Sequence, residues 1–92
     1  MSAPAAARPR IHRLFRFQWE PAQQAYVLLY PEGMVKLNQS AGEILKRCDG
    51  SRSVPEIVAD LETAFNASGL AGDVDAFLTM AEGQNWIVWS AD

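Results

Sequence analysis

Five consecutive apolar residues, Tyr26-Val27-Leu28-Leu29-Tyr30, run straight into Pro31-Glu32-Gly33 and then into Met34-Val35-Lys36-Leu37. An apolar run this short suits a strand covered on both faces. Proline at the second turn position and glycine at the fourth are type I turn chemistry, so the chain reverses after Tyr30 and pairs back on itself. In the returning strand Val35 and Leu37 share one face, and Met34 and Lys36 share the other. Upstream, Phe15, Phe17 and Trp19 alternate with Arg16, Gln18 and Glu20, the period of a strand with one buried face, and Pro21 ends it. These three segments predict an antiparallel meander with residues 26–30 in the centre.

The change to helix is well signalled. Asn38 or Ser40 can cap the free amides of a helix starting near Gln39, and Ser40 and Glu43 have capping-box spacing. Ala41, Ile44, Leu45 and Cys48 recur at helical spacing as one apolar stripe, and Asp49-Gly50 supplies the stop. Ser53-Val54-Pro55-Glu56 repeats the start signal ahead of the stripe Ile57, Val58, Leu61 and Phe65. Asp73 is placed to cap a third helix with the stripe Val74, Phe77, Leu78 and Ala81, which Gly83 to Asn85 closes. Trp86-Ile87-Val88-Trp89 is β-prone and suits a short final strand or a packed tail. The expected fold class is α+β and winged helix-turn-helix-like: a three-stranded antiparallel meander, three short helices, and a short C-terminal strand or tail.

With 92 residues there is room for one domain. Residues 1–10, rich in Ala and Pro, are expected to form a flexible N-terminal arm, and residues 11–92 the single domain. The arm lacks the apolar core of a secretory signal, and no apolar run is long enough to span a membrane, so a cytoplasmic protein with no membrane partner is expected. The net charge of −3 conceals an asymmetry. Every Lys and Arg lies at or before Arg52, whereas Glu56, Asp60, Glu62, Asp73, Asp75, Glu82 and Asp92 make the C-terminal half acidic.

Little here can support catalysis. The single His12 lies near the arm, and the single Cys48 falls on a buried stripe, where a reactive thiol lacks an exposed electropositive setting. Asp73 and Asp75, two apart on a helix, do not face each other. No phosphate loop, paired histidines or paired cysteines are present, so neither a metal nor a cofactor is expected and the chain reads as a non-enzyme. A winged-helix outline raises nucleic-acid binding as the alternative. The third helix, however, offers carboxylates where phosphate contacts need cations.

An open strand edge remains as the candidate working surface. Residues 34–37 have one strand neighbour and a free far side, to which an extended peptide could pair through its main chain. The opposing expectation is that Lys36 guards this edge against aggregation and nothing binds. Proline at Val35 would test the edge if the Val35 amide faces it.

The same stretch carries a family likeness. Leu28-Leu29-Tyr30-Pro31-Glu32-Gly33, the Leu37-Asn38-Gln39-Ser40-Ala41 start of the first helix, the Cys48-Asp49-Gly50 stop and Ser53-Val54-Pro55-Glu56-Ile57 closely resemble the PqqD family. Asp73-Val74 and Phe77-Leu78 fit its third-helix pattern. One departure is Gln84-Asn85-Trp86, where relatives usually place Gly before the aromatic; Asn is the next best residue for a left-handed helix end. The resemblance implies a peptide chaperone of pyrroloquinoline quinone (PQQ) biosynthesis, a RiPP recognition element. Such a protein binds the precursor peptide PqqA by strand addition and presents it to the radical SAM enzyme PqqE, catalysing nothing itself. It further implies a peptide site made by Met34, Val35, Lys36 and Leu37 on the strand and by Asp73, Phe77, Leu78 and Ala81 on the helix. A leader-binding domain of another modified-peptide pathway fits the same likeness. The open edge, the arm and the tryptophan tail permit a homodimer.

Overall fold

The computed structural model describes residues 7–90. Eight elements follow in order: β1 (Arg8–Ile11), β2 (Arg16–Glu20), β3 (Ala25–Tyr30), β4 (Gly33–Lys36), α1 (Gln39–Lys46), α2 (Val54–Ala64), α3 (Ala71–Gly83) and β5 (Ile87–Ser90). β2, β3 and β4 form the expected antiparallel meander with β3 central, and β1 and β5 form a separate two-stranded sheet. Pro31 and Glu32 make a two-residue loop, across which Tyr30 pairs with Gly33.

The meander has a core face and an outer face. Cross-strand pairing sets Phe17, Leu28 and Val35 in one row and Arg16, Leu29 and Met34 in the next, and neighbouring rows point to opposite sides of a pleated sheet. Leu28, fully buried, belongs to one apolar cluster with Leu37, Ile44, Leu45, Ile57, Val74, Leu78 and Ile87, so the core joins sheet and helices. Tyr26 stacks on Phe17 with ring centroids 4.8 Å apart and meets Trp19 edge-on at 5.1 Å. Gly42 allows α1 to lie against this aromatic group: a Cβ there would come within 2.8 Å of Tyr26 Cδ2.

Local signals hold the helix starts. Asn38 Oδ1 accepts from the Ala41 amide at 2.8 Å, so Asn38 is the cap and Ser40 hydrogen-bonds to it instead. All four stripe residues, Ala41, Ile44, Leu45 and Cys48, are buried. The helix nevertheless ends at Lys46, and Cys48 follows it in the exit loop. Ser53 and Glu56 complete the capping box of α2. At the end of α3, Asn85 takes φ +62°, its amide bonds to Glu82 O, and the Trp86 amide bonds to Ala81 O. This Schellman closure keeps the helix end intact without glycine.

Two expectations need correction. Residues 8–10 are not a loose arm: Arg8, Pro9, Arg10 and Ile11 pair with Ser90, Trp89, Val88 and Ile87. Ala7 and Pro9 are buried, so small apolar residues alternate with arginines as in any half-covered strand. Pro9 O accepts from Gly50 N and Ile11 N donates to Cys48 O, whereas His12 N donates to Trp86 O. The proline nitrogen therefore points away from β5, where its missing N–H takes nothing from the ladder. Residues 1–6 and 91–92 lie outside the described residues. The second correction concerns α3, which begins at Ala71, so Asp73 sits inside its first turn and is not the cap. The Leu70 amide bonds at 3.0 Å to Glu62 of the preceding helix, a tertiary substitute for a local cap.

Candidate peptide-binding site

Among the described residues β4 is an edge strand, pairing with β3 alone. Which of its backbone groups are free follows from one bond. Leu37 N donates to Tyr26 O at 3.0 Å, making Tyr26 and Leu37 a hydrogen-bonded pair. Such pairs alternate along an antiparallel ladder, so Leu28–Val35 and Tyr30–Gly33 are the next two. The Val35 amide and carbonyl therefore face β3. Those of Met34 and Lys36 face outward, two donors and two acceptors with no strand beside them among the described residues. Proline at Val35 would thus break the sheet rather than test its edge, contrary to the condition set on that substitution above.

The Met34 and Lys36 side chains are exposed on the outer face, Val35 is half-buried, and Leu37 is 5% exposed in the core. Gln39 and Ser40, two and three residues beyond Leu37, line a cavity of about 450 Å³. It lies between α1, the end of α2 and the first half of α3. Ile44, Leu61 and Phe65 form its apolar wall on the α1 and α2 side, while Asp73, Val74 and Phe77 line it from α3. β4 packs chiefly on β3, and α3 chiefly on α2 and β5. No residue of β4 lines the cavity, and the two are joined in sequence by the start of α1.

Of the helix-side candidates, Asp73 and Phe77 are brought to the cavity. Leu78 and Ala81 are 1% and 0% exposed and belong to the core cluster. The reason is helical geometry: Asp73 and Phe77, four apart, share one flank of α3, and Leu78 and Ala81 share the flank turned inward. Phe65 was the omission. It closes the apolar stripe of α2, which predicts a core residue, but it is 46% exposed as the C-cap and faces the cavity.

Charge around the cavity is fixed unevenly. Arg47 Nη1 contacts Glu43 at 2.9 Å, and Arg47 Nε bonds Asp60, tying α1 to α2. Burial works against the Arg47 charge, but the two carboxylates outweigh it and hold its pKa above the ordinary value. The hydrogen bond from Arg47 in turn lowers the pKa of Asp60. Asp73 enters no ion pair among the described residues, so its negative charge is available at the rim.

The groups with catalytic potential are engaged elsewhere. Cys48 is 1% exposed and donates to Ile44 O, and burial pushes its thiol pKa up to about 12. His12 Nδ1 accepts from the Leu14 amide within a turn. Among the described residues no three His, Cys, Asp or Glu side chains cluster to hold a metal, and no helix is long and apolar enough to cross a membrane.

Comparison with known proteins gives this arrangement a lineage. The profile of the family described as "Coenzyme PQQ synthesis protein D (PqqD)" matches residues 25–87. The "PqqA binding protein" of Pseudomonas aeruginosa (strain UCBPP-PA14) is 56% identical over 89 residues, covering 95% of this chain and 97% of that protein. The protein of the same name from Stutzerimonas stutzeri (strain A1501) is 54% identical over 80 residues, covering 86% and 87%. Among solved structures, the PqqD truncation of Methylobacterium extorquens PqqCD, described as a functional and stand-alone RiPP recognition element, superposes with a TM-score of 0.67. It is 27% identical, with 87% of each chain covered. The heterocyclase TruD shares the fold at a TM-score of 0.70 and 17% identity, over 92% of this chain and 12% of its own. The family profile spans more than half of the chain and the Pseudomonas aeruginosa relative matches over nearly its whole length, so the chain belongs to the PqqD family.

Proposed function

We propose that this protein is a non-catalytic peptide chaperone of pyrroloquinoline quinone biosynthesis, which binds the precursor peptide PqqA as an added strand on β4 and presents it to the radical SAM enzyme PqqE. The observation that carries the proposal is the outward phase of Met34 and Lys36, a row of donors and acceptors with no strand beside it among the described residues, on a strand that runs into the α1 residues lining an apolar cavity. Main-chain pairing there would supply affinity with little regard to sequence, and the cavity would supply selectivity. Phe65 and Phe77 would grip an apolar anchor of the peptide, and Asp73 would favour a cation next to it. Leu37, Leu78 and Ala81 would act from beneath, by holding β4 and α3 in place. The names of the relatives, PqqA binding proteins, support the choice of peptide. The engagement of Cys48 and His12 in structural bonds supports a binding role and not a chemical one. We place this work in the cytoplasm, where the modifying enzyme needs reducing conditions.

The test is reconstitution. PqqE, its reductant and PqqA are combined with and without this protein, and cross-linked peptide is followed by mass spectrometry. Product that depends on the protein supports the proposal. Equal product in its absence, or no detectable complex with PqqA, contradicts it.

A further inference from the structure

Two cations of the N-terminal half, Arg13 and Arg16, lie on a part of the surface apart from the helix-side cavity. The turn between β1 and β2 is closed by the bond from Phe15 N to His12 O at 2.9 Å and braced by the bond from Leu14 N to His12 Nδ1 at 3.1 Å. It holds Leu14 60% exposed, the most exposed of the large apolar residues among those described. A shallow depression of about 400 Å³ lies beside it, with Arg13 and Arg16 at its margin and Leu29 and Pro31 in its lining. Arg16, Leu29 and Met34 form one cross-strand row on the outer face of the sheet. Neither arginine enters an ion pair among the described residues. The patch is thus a braced, exposed leucine and a half-buried leucine flanked by two arginines outside any ion pair among the described residues, whereas α2 and α3 carry six carboxylates and no Lys or Arg.

We infer that this patch, centred on Leu14 and framed by Arg13 and Arg16, is the docking face for an acidic protein surface of the recipient enzyme. The inference rests on the reading of the protein as a chaperone that presents its peptide to an enzyme. Charge complementarity selects the partner, because a carboxylate-rich surface is steered to the arginines and repelled by the helices. The braced turn supplies a pre-ordered apolar anchor at small entropic cost. The sheet couples the two ligands. A peptide added to β4 becomes the next strand, and alternate side chains of it lie beside Met34 on the outer face, in line with Leu29 and Arg16. An enzyme seated on this row touches chaperone and peptide together, so each ligand strengthens binding of the other by the same factor.

The test measures binding of PqqE to the wild-type protein, to the Arg13→Glu/Arg16→Glu variant and to Leu14→Ser, with and without saturating PqqA, at low and high salt. The expected result is enzyme affinity at least about tenfold weaker in both variants, with peptide affinity within about twofold of wild type. Enzyme binding by the wild type should also weaken as salt rises. Equal enzyme binding by all three proteins overturns the docking face and leaves the chaperone reading standing. No enzyme binding by the wild type overturns both. Cosedimentation with anionic phospholipid vesicles that the arginine variant loses, with its enzyme binding intact, reassigns the patch to a lipid surface and overturns the proposal.

Discussion

Replacing Lys36 with proline removes one of two outward donors on β4 and leaves the β3 ladder whole. The phase is set by the Leu37–Tyr26 bond: Val35 points inward, so Met34 and Lys36 point outward. Edge strands accept proline where the lost N–H faces solvent, so the variant should fold. When a peptide strand is present, the cost is one net hydrogen bond, about 0.5–1.5 kcal/mol, plus part of the penalty for an unmet carbonyl on the peptide. Together these amount to about 1–3 kcal/mol, or roughly fivefold to 150-fold weaker peptide binding. Lys36→Ala is the control, since it removes the charge and keeps the donor; it should bind within about twofold of wild type. Val35→Pro should instead unfold or loosen the meander, because it removes a hydrogen bond from the β3 ladder. Calorimetric titration with PqqA, alongside thermal melts, separates these outcomes. A folded Lys36→Pro protein with wild-type affinity would refute strand addition at this edge.

Other perturbations read different parts of the structure. Phe65→Ala should weaken peptide binding about threefold to thirtyfold and barely move the melting temperature, because half of the ring is already in solvent. Leu78→Ala, one helical turn past the cavity-lining Val74 and buried in the core, should do the reverse, costing about 2–5 kcal/mol of stability in denaturant titration. Gly42→Ala should destabilise by about 1–3 kcal/mol despite the better helix propensity of alanine, since the new methyl meets Tyr26 at its Cβ as well as its ring; a gain in stability would show that the contact relaxes freely. Cys48 gives a pH signature. Its folded pKa, about 12, stands above the unfolded value of 9.0, so the stability it contributes is complete below pH 9 and is lost as pH rises toward 12. The loss should be about 1.4 kcal/mol per pH unit in that window, and Cys48→Ala should flatten this part of the stability curve.

How far the sequence disclosed this molecule depended on whether each signal was local. The 30–33 turn, the Asn38 cap and the Ser53–Glu56 box are settled within four residues, and each is found where its chemistry predicts. The start of α3 was misjudged because its first amide is met by Glu62, eight residues away on another helix. β1 was hidden for a related reason. The fully buried side chains at its start, Ala7 and Pro9, are small, and its partner β5 lies at the far end of the chain, so composition suggested an arm where pairing makes a strand. Within the site, the strand edge was legible and its phase was not used, although a two-residue loop already makes Tyr30 and Gly33 a bonded pair and turns Val35 inward. The cavity was the least legible part. Phe65 and Phe77 obey the same helical period as core residues, and only the packing of three helices decides that they stop short of full burial.

Hydrogen exchange at single amides of β4 tests the central claim most directly. In the free protein the Val35 amide, bonded to β3, should exchange slowly, and those of Met34 and Lys36 should exchange at rates near those of unprotected amides. Saturation with PqqA should slow Met34 and Lys36 by about tenfold or more and leave Val35 the slowest of the three. If the peptide binds and these two amides exchange as quickly as before, the peptide is not a strand on β4, and the site lies elsewhere.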